Sequence, residues 1–201
     1  MDSVKQHSHN LMKAMVLATT VFCSTTVFAD DHGVAKYRQN CDMLPLVNTL
    51  IGAGPNTTVC VDAPVALEKA KVVFNLDVPV MSGGNPVGLR HMWMLGTALK
   101  ARIKAGLADP KKVSIIGVLH GSSTPWALKD SPVAGWIEKL FSLNKDGVNI
   151  SLEMCGVTMM GKGLTNSDLY KSENGMIHVN QGAIGRLIDL QQHKYAYIQE
   201  D

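Results

Sequence analysis

The sequence predicts an α/β protein, a three-layer αβα sandwich with a mainly parallel sheet of flavodoxin-like type. From residue 71 onward, short apolar runs typical of buried strands alternate with segments whose apolar residues recur at helical spacing. Strands and helices that alternate in this way form βαβ units, whose right-handed crossovers cover both faces of a parallel sheet. The composition agrees, because 46% of the 201 residues are hydrophobic, enough for one domain with its own core.

The first 29 residues have the pattern of a signal peptide. Lys13 precedes an uncharged apolar run over residues 14–28, and the small residue Ala29 suits cleavage directly after it. The run is shorter than the roughly 20 residues that a membrane-spanning helix needs. An uncleaved anchor or a buried helix is the alternative, and either Met1 or Met12 fits as the start. We therefore expect a periplasmic protein, exported and with no stable membrane insertion after signal cleavage.

Residues 30–69 form an N-terminal extension that contains two of the four cysteines. Cys41 and Cys60 could close a 20-residue loop, and such a crosslink contributes about 3 kcal/mol on the chain-entropy model. Cys23 lies within the signal peptide, so Cys155 is the thiol left over in an oxidising compartment. We predict a disulfide between Cys41 and Cys60, and a free Cys155.

The α/β domain covers residues 70–201, and the pattern gives its elements in order. Apolar runs predict strands over 71–76, 112–120, 148–154, 176–180 and 196–198, the last at an edge of the sheet. Helical spacing predicts helices from 86 to about 104, over 133–143 and over 182–193.

Four local signals refine this pattern. Asn85 and Pro86 suit the N-cap and first position of the first helix, and Gly83-Gly84 before them indicates a turn rather than a phosphate loop. Residues 121–130 are long for a connection and indicate a surface loop or lid. Thr165 with Asp168 indicates a short capped helix.

The carboxyl ends of the strands are where doubly wound sheets collect ligands and reactive groups. Cys155 comes directly after the third strand, so we expect an exposed, partly ionised thiol there, stabilised by the backbone N–H groups of residues 156–158. His120 ends the neighbouring strand and could act as its proton partner, with Trp126 covering the site. The alternatives are a small buried structural cysteine and a loop histidine in contact with solvent. The strand-end rule selects the set Asn75, Asp77, His120, Gly121, Met154, Cys155 and Asn180.

Soft ligands near Cys155 suggest a second kind of site. Met154, Cys155, Met159 and Met160 lie within seven residues, and thiolate with thioether ligands selects Cu(I). Methionines also fill gaps in cores, which is the interpretation we favour. His178 lies within a predicted strand and is expected to be a core histidine. No cofactor is predicted.

Four segments resemble the DsrE/DsrF-like family. The strand over 71–76 and the segment Asn85-Pro-Val-Gly-Leu-Arg-His-Met-Trp-Met-Leu95 are similar to the opening of its members. The stretch Ser151-Leu-Glu-Met-Cys-Gly-Val-Thr158 and the ending over 182–198 are similar to its later parts. The resemblance covers about residues 70–201.

The resemblance implies a small αβα protein that assembles into a homo-oligomer, a trimer or hexamer. It also implies sulfur relay, in which sulfur passes along as a persulfide, and Cys155 matches the persulfide-bearing cysteine. The relay members are mostly cytoplasmic, whereas this chain has a signal peptide and an extension. The sulfur donor or acceptor is therefore another protein or a small thiol.

Two functional hypotheses follow. The first is a sulfur carrier or sulfurtransferase that holds sulfane sulfur as a persulfide on Cys155, with His120 as the second catalytic residue. The second is a non-catalytic periplasmic binding module for Cu(I), or for a small ligand in the crevice at the strand ends. Nucleic acid is excluded as a partner, because 19 Lys and Arg against 17 Asp and Glu leave a net charge of only +2 and form no basic stripe.

Overall fold

Residues 67–200 are described by the structure, a computed structural model. The strands are β1 (Ala70–Leu76), β2 (Met81–Ser82), β3 (Asn85–Pro86), β4 (Val113–Leu119), β5 (Asn149–Cys155), β6 (His178–Asn180) and β7 (Ala196–Gln199). The α-helices are α1 (Val87–Lys104), α2 (Ala134–Ser142), α3 (Gly156–Gly161) and α4 (Ala183–Gln192). The predicted signal peptide, the start methionine and the Cys41–Cys60 disulfide lie outside the described residues, as does the extension up to residue 66.

Five strands form one parallel sheet in the order β6–β5–β4–β1–β7, so the predicted α/β class is confirmed. The predicted edge strand at the end of the chain is β7, which pairs with β1. The register places Leu76 opposite Leu119, and Leu119 opposite Met154. β1, β4 and β5 therefore end at the same level, and side chains that follow them share one edge of the sheet.

The helices divide between the two faces of this sheet. On the face that we call the α1/α2 face, side chains such as Phe74, Ile115 and Leu152 form a core with α1 and α2. On the other, the α4 face, Ile116, Val118 and Cys155 pack against α4. Successive strand residues alternate between these faces, because side chains on a strand have a period of two. The sheet therefore has unequal covers, with α1 and α2 on one face and α4 on the other.

The start of α1 differs from the prediction. Asn85 and Pro86 form the second strand of a short hairpin, β2–β3, and the helix begins at Val87 with Pro86 as its N-cap. The predicted turn at Gly83-Gly84 is confirmed, since both residues have positive φ angles of 56° and 78° and connect β2 to β3. Positive φ angles at both central positions are those of a type I′ hairpin turn, and glycine adopts them without strain. Asn85 serves the turn rather than the helix, and its Nδ2 donates to the Gly83 carbonyl at 3.2 Å.

The segment predicted as a surface loop or lid is instead a 3₁₀ helix over Gly121–Ala127, packed into the protein. Trp126 is 3% exposed and belongs to the core on the α1/α2 face. The Ser131 hydroxyl donates to the Trp126 carbonyl at 2.8 Å and fixes the end of the segment. The prediction was wrong because it rested on the small and polar residues before Trp126, whereas the burial of the Trp126 side chain holds the segment against the core.

Two further expectations have definite outcomes. The Thr165–Asp168 signal is confirmed, because a 3₁₀ helix covers Asn166–Asp168 and the Thr165 N–H donates to Asp168 Oδ2 at 2.8 Å. His178 is exposed rather than a core residue, since it is the first residue of β6 at the edge of the sheet. Among the described residues, no helix is long and apolar enough to cross a membrane.

Candidate functional site

Cys155 lies at a switch point in the topology. It is the last residue of β5, and the chain after it enters α3, whose Met159 packs into the core on the α1/α2 face. The chain after the adjacent strand β6 enters α4 on the opposite face. Connections that leave neighbouring parallel strands toward opposite faces open a crevice at the strand ends, which is where ligands bind in open α/β sheets.

The Cys155 sulfur lies between the starts of two helices and accepts a hydrogen bond from one of them. The Ala183 N–H of α4 donates to Sγ at 3.3 Å, whereas the start of α3 makes no cap bond to the sulfur but places the Thr158 hydroxyl and the N–H groups of Val157 and Thr158 where they favour an anion. Burial raises the pKa of the Cys155 thiol, but these polar groups of Thr158, Ala183 and Val157 together hold it below the usual value of 9.0. The geometry therefore favours a thiolate, which is the nucleophilic form of cysteine.

The predicted support from the N–H groups of residues 156–158 takes no hydrogen-bonded form, since the Cys155 side chain receives no cap bond at the start of α3, and the Ala183 donor and the Thr158 hydroxyl were missed. Ala183 is 28 residues from Cys155 in the chain, and no local pattern reports such a contact. Thr158 had been considered only for its N–H. Its Oγ1 also lies 3.5 Å from the N–H of Gly121, which links the site to the segment after β4.

The expectation of an exposed thiol is wrong, because Cys155 is only 5% exposed. The starts of α3 and α4 flank the sulfur and cover it. A depression of about 500 Å³ lies beside them, and its lining includes residues next to both sets of donors. The lining residues are Val157, Gln181, Gly182, Gly185, Arg186 and Asp189. A small reagent therefore has room to gather beside the helix starts, although Cys155 itself does not line the depression.

Gly156 makes the close approach of β6 possible. A Cβ atom at this position would lie 2.7 Å from the carbonyl oxygen of Asn180, a distance that real Cβ contacts essentially never show. The residue after the cysteine must therefore be glycine for β6 to end where it does. Because Ala183 lies only three residues after the end of β6, the same approach brings the Ala183 N–H to the sulfur.

His120 does not reach Cys155 through a hydrogen bond in the structure. The Asn75 amide donates through Nδ2 to Gln199 Oε1 at 2.7 Å, so its Oδ1 accepts from His120 Nε2 at 2.7 Å. The Ser123 N–H donates to the carbonyl oxygens of Asp77 and His120 at 3.1 and 3.2 Å, and the Ser123 hydroxyl accepts from the His120 N–H at 3.2 Å. The Nε2 nitrogen of His120 therefore has a partner other than the thiol. The role of His120 as a proton partner stays a prediction.

The buried carboxylate of Glu153 stands two residues before Cys155 on the same face of β5. Its oxygens accept from Arg186 Nε at 2.9 and 3.2 Å and from Arg186 Nη2 at 2.8 Å, and Asn180 Nδ2 donates to Oε2 at 3.2 Å. Arg186 also binds Asp189 on its own helix at 2.8 Å. These bonds raise the pKa of the Arg186 guanidinium. The pair connects β5 to α4 one helical turn beyond Ala183.

The soft-ligand set is divided by the sheet. Met154 and Met159 lie in the core on the α1/α2 face, whereas Cys155 lies on the α4 face. Met160 is 76% exposed on α3. Trp126 lies on the α1/α2 face as well, so it does not cover the thiol. Within residues 67–200, no group of three or more His, Cys, Asp or Glu side chains is placed to hold a metal ion.

The comparisons with known proteins add little to this geometry. No family model matches the chain, and no curated protein is similar to it. One similar solved structure is the protein of unknown function MTH1491 from Methanobacterium thermoautotrophicum, with 20% sequence identity and a TM-score of 0.44. The match covers 66% of this chain and all of that one.

Proposed function

We propose that this protein is an exported sulfur carrier or sulfurtransferase that holds sulfane sulfur as a persulfide on Cys155. The observation that supports the proposal most strongly is the placement of the sulfur between two helix starts, where the Ala183 N–H donates to it and the polar groups at the start of α3 lower the thiol pKa. An anionic sulfur is stabilised by such donors at low cost, since their orientation is fixed by the fold. A structural cysteine needs only apolar neighbours and would not require this set of donors.

The reaction needs no metal or redox cofactor. The Cys155 thiolate attacks the outer sulfur of a donor persulfide, a new S–S bond forms at Cys155, and the donor leaves as a thiolate. An acceptor thiolate then attacks the outer sulfur on Cys155 and restores the Cys155 thiolate. Each step exchanges one S–S bond for another, so oxidation states and charges balance. The donor N–H groups suit both forms, since thiolate and persulfide are both anions.

Access to the sulfur follows from the depression beside it. A Cβ atom added at Gly182 would lie 3.5 Å from Cγ2 of Val157 on α3, so these two residues face each other at the helix starts. We propose that the donor sulfur approaches from the depression and passes between Val157 and Gly182. Since the crevice is narrow, a persulfide on a small or extended carrier suits it better than one on a rigid flat surface.

Self-association is part of the proposal. On α4, Ile184 is 75% exposed and Ile188 is 51% exposed, one turn apart on the same side of the helix. Contiguous exposed apolar side chains mark interaction surfaces more often than free surface. We propose a homo-oligomer, a trimer or hexamer, and light scattering of the protein at micromolar concentration checks it. A monomer would count against this assembly.

The proposed function is tested by sulfur uptake. The folded full-length chain is offered a low-molecular-weight persulfide, and the intact mass is expected to rise by one sulfur atom on Cys155, located in a proteolytic peptide. The Cys155→Ser protein is expected to fold normally and to gain no sulfur at that position. A wild-type protein that gains sulfur only on Cys41 or Cys60, or only after unfolding, would overturn the proposal.

A further inference from the structure

The helix that donates to Cys155 is attached to β5 at two points. The first is the bond from the Ala183 N–H to Cys155 Sγ, at 3.3 Å. The second is the ion pair between Glu153 and Arg186, with the shortest oxygen–nitrogen distance at 2.8 Å. Glu153 and Cys155 are i and i+2 on one strand, and Ala183 and Arg186 are i and i+3 on one helix, so both attachments lie on the same side of α4. Two points of attachment fix the orientation of α4 relative to β5 as well as the distance between them.

The remaining contacts of α4 with the sheet are apolar. Leu187 and Leu190 are buried against Ile116 and Val118, and contacts of this kind set the spacing between helix and sheet without setting the helix's position along its axis. A bidentate guanidinium–carboxylate pair does set that position, because its donors and acceptors match in only one arrangement. The Glu153 carboxylate is 10% exposed and needs its partner, since a buried charge without one is strongly unfavourable.

We propose that Glu153 and Arg186 are positioning residues, whose ion pair holds α4 in the register that aims the Ala183 N–H at the Cys155 sulfur. The inference rests on the proposed function in so far as it concerns the same thiol. Both side chains make their hydrogen bonds to groups other than the sulfur, so the pair acts through the helix. Asn180 adds a third attachment, because its Nδ2 donates to Glu153 and thereby connects β6 to the same carboxylate.

For Glu153, a direct electrostatic effect on the thiol and a positioning effect predict opposite changes in the thiolate fraction. A carboxylate near a thiol disfavours the thiolate, so loss of the Glu153 charge alone would raise the thiolate fraction. If Glu153 acts by positioning, its loss lowers that fraction, because the Ala183 donor shifts away. The other charged or titratable groups on the elements around the sulfur are Arg186 and Asp189 on α4, His120 after β4, His178 on β6 and Lys162 after α3.

The test measures the ionisation of Cys155 by its ultraviolet thiolate absorbance in the full-length chain, with the Cys155→Ser protein as the blank. The variants are Glu153→Leu, the charge-neutral double variant Glu153→Leu/Arg186→Leu, and the control Asp189→Asn. The double variant keeps the net charge and replaces the pair by apolar groups, an exchange that folded proteins often tolerate. Asp189 binds the same guanidinium but lies on α4 itself, so its loss does not detach the helix from β5.

We expect the thiolate fraction near neutral pH to fall about tenfold in both Leu variants, as loss of one hydrogen bond to a charged group implies, and to stay unchanged in Asp189→Asn. A rise in Glu153→Leu, or no change in the double variant with its fold intact by circular dichroism, would overturn the positioning role. The readout does not depend on sulfur transfer. A protein whose thiol responds in this way but accepts no sulfur would refute the proposed function and leave the positioning role standing.

Discussion

The two faces of the sheet bury different kinds of side chain. The α1/α2 face has a continuous apolar core, to which every strand of the sheet's centre contributes. On the α4 face the apolar cluster is smaller, and the buried polar strand residues Asn75, Ser114 and Glu153 all lie there together with Cys155. A face covered by one helix leaves space in which polar groups find partners, whereas a face closed by two helices does not. The buried polar strand residues and Cys155 are therefore concentrated on the face that a single helix covers.

The largest expected effect separates the faces by stability. Ile115 and Ile116 are adjacent on β4, both are buried, and they point to opposite faces. We expect Ile115→Ala to cost about 4 kcal/mol and Ile116→Ala about 2 kcal/mol, because the cost depends on how far the surroundings can close over the cavity. A single helix can settle into the gap, but a core fixed by two helices cannot.

Urea unfolding of the two variants measures this difference in the free energy of unfolding, provided that the slope of that free energy against urea concentration is the same in both. Equal losses, or a larger loss at Ile116, would show that α4 is held as rigidly as the opposite layer. The two faces would then differ only in the kinds of side chain that they bury and not in their rigidity.

A second prediction concerns the glycine that brings β6 to the site. Gly156→Ala places a methyl group against the Asn180 carbonyl, so we expect a loss of about 2 kcal/mol as β6 and the start of α4 are pushed back. Gly185→Ala on α4 is the matched control, because no atom lies within 4 Å of the added Cβ. Alanine is the better helix former, and this variant should gain up to about 1 kcal/mol.

Thermal unfolding of both variants and of the wild type measures whether each substitution lowers or raises the stability. A Gly156→Ala protein as stable as the wild type would mean that the end of β6 can move freely. The donor geometry at Cys155 would then be looser than the structure indicates.

The smallest of the expected effects concerns the thiol itself. Thr158→Val removes a hydroxyl that lowers the pKa of the Cys155 thiol, so the thiolate fraction near neutral pH should fall, by about tenfold where the hydroxyl donates to the thiolate. His120→Ala should leave that fraction unchanged, since the imidazole Nε2 is bonded to Asn75. Titration of the thiolate absorbance measures both. The reverse outcome would make His120 the group that supports the thiolate, as the sequence had suggested.

The sequence predicted the layers because they depend on local patterns, and it selected Cys155 as a candidate position in the same way. Apolar runs and helical spacing predicted the strands and helices, and the strand-end rule selected Cys155. What the sequence could not predict depends on contacts between distant residues. The Ala183 donor, the Glu153–Arg186 pair and the burial of the thiol all join β5 to a helix some 30 residues later. Trp126 was misplaced for the same reason, because its core partners lie on other elements.

The pH dependence of sulfur uptake decides whether Cys155 acts as a thiolate on the α4 face. Only the thiolate attacks, and the fold holds the thiol pKa below its usual value of 9.0. The initial rate of sulfur transfer from a low-molecular-weight persulfide to Cys155 should therefore reach its plateau below pH 9 and fall on the acid side of the lowered pKa. A rate that keeps rising through pH 9, as for an ordinary cysteine, would contradict the account.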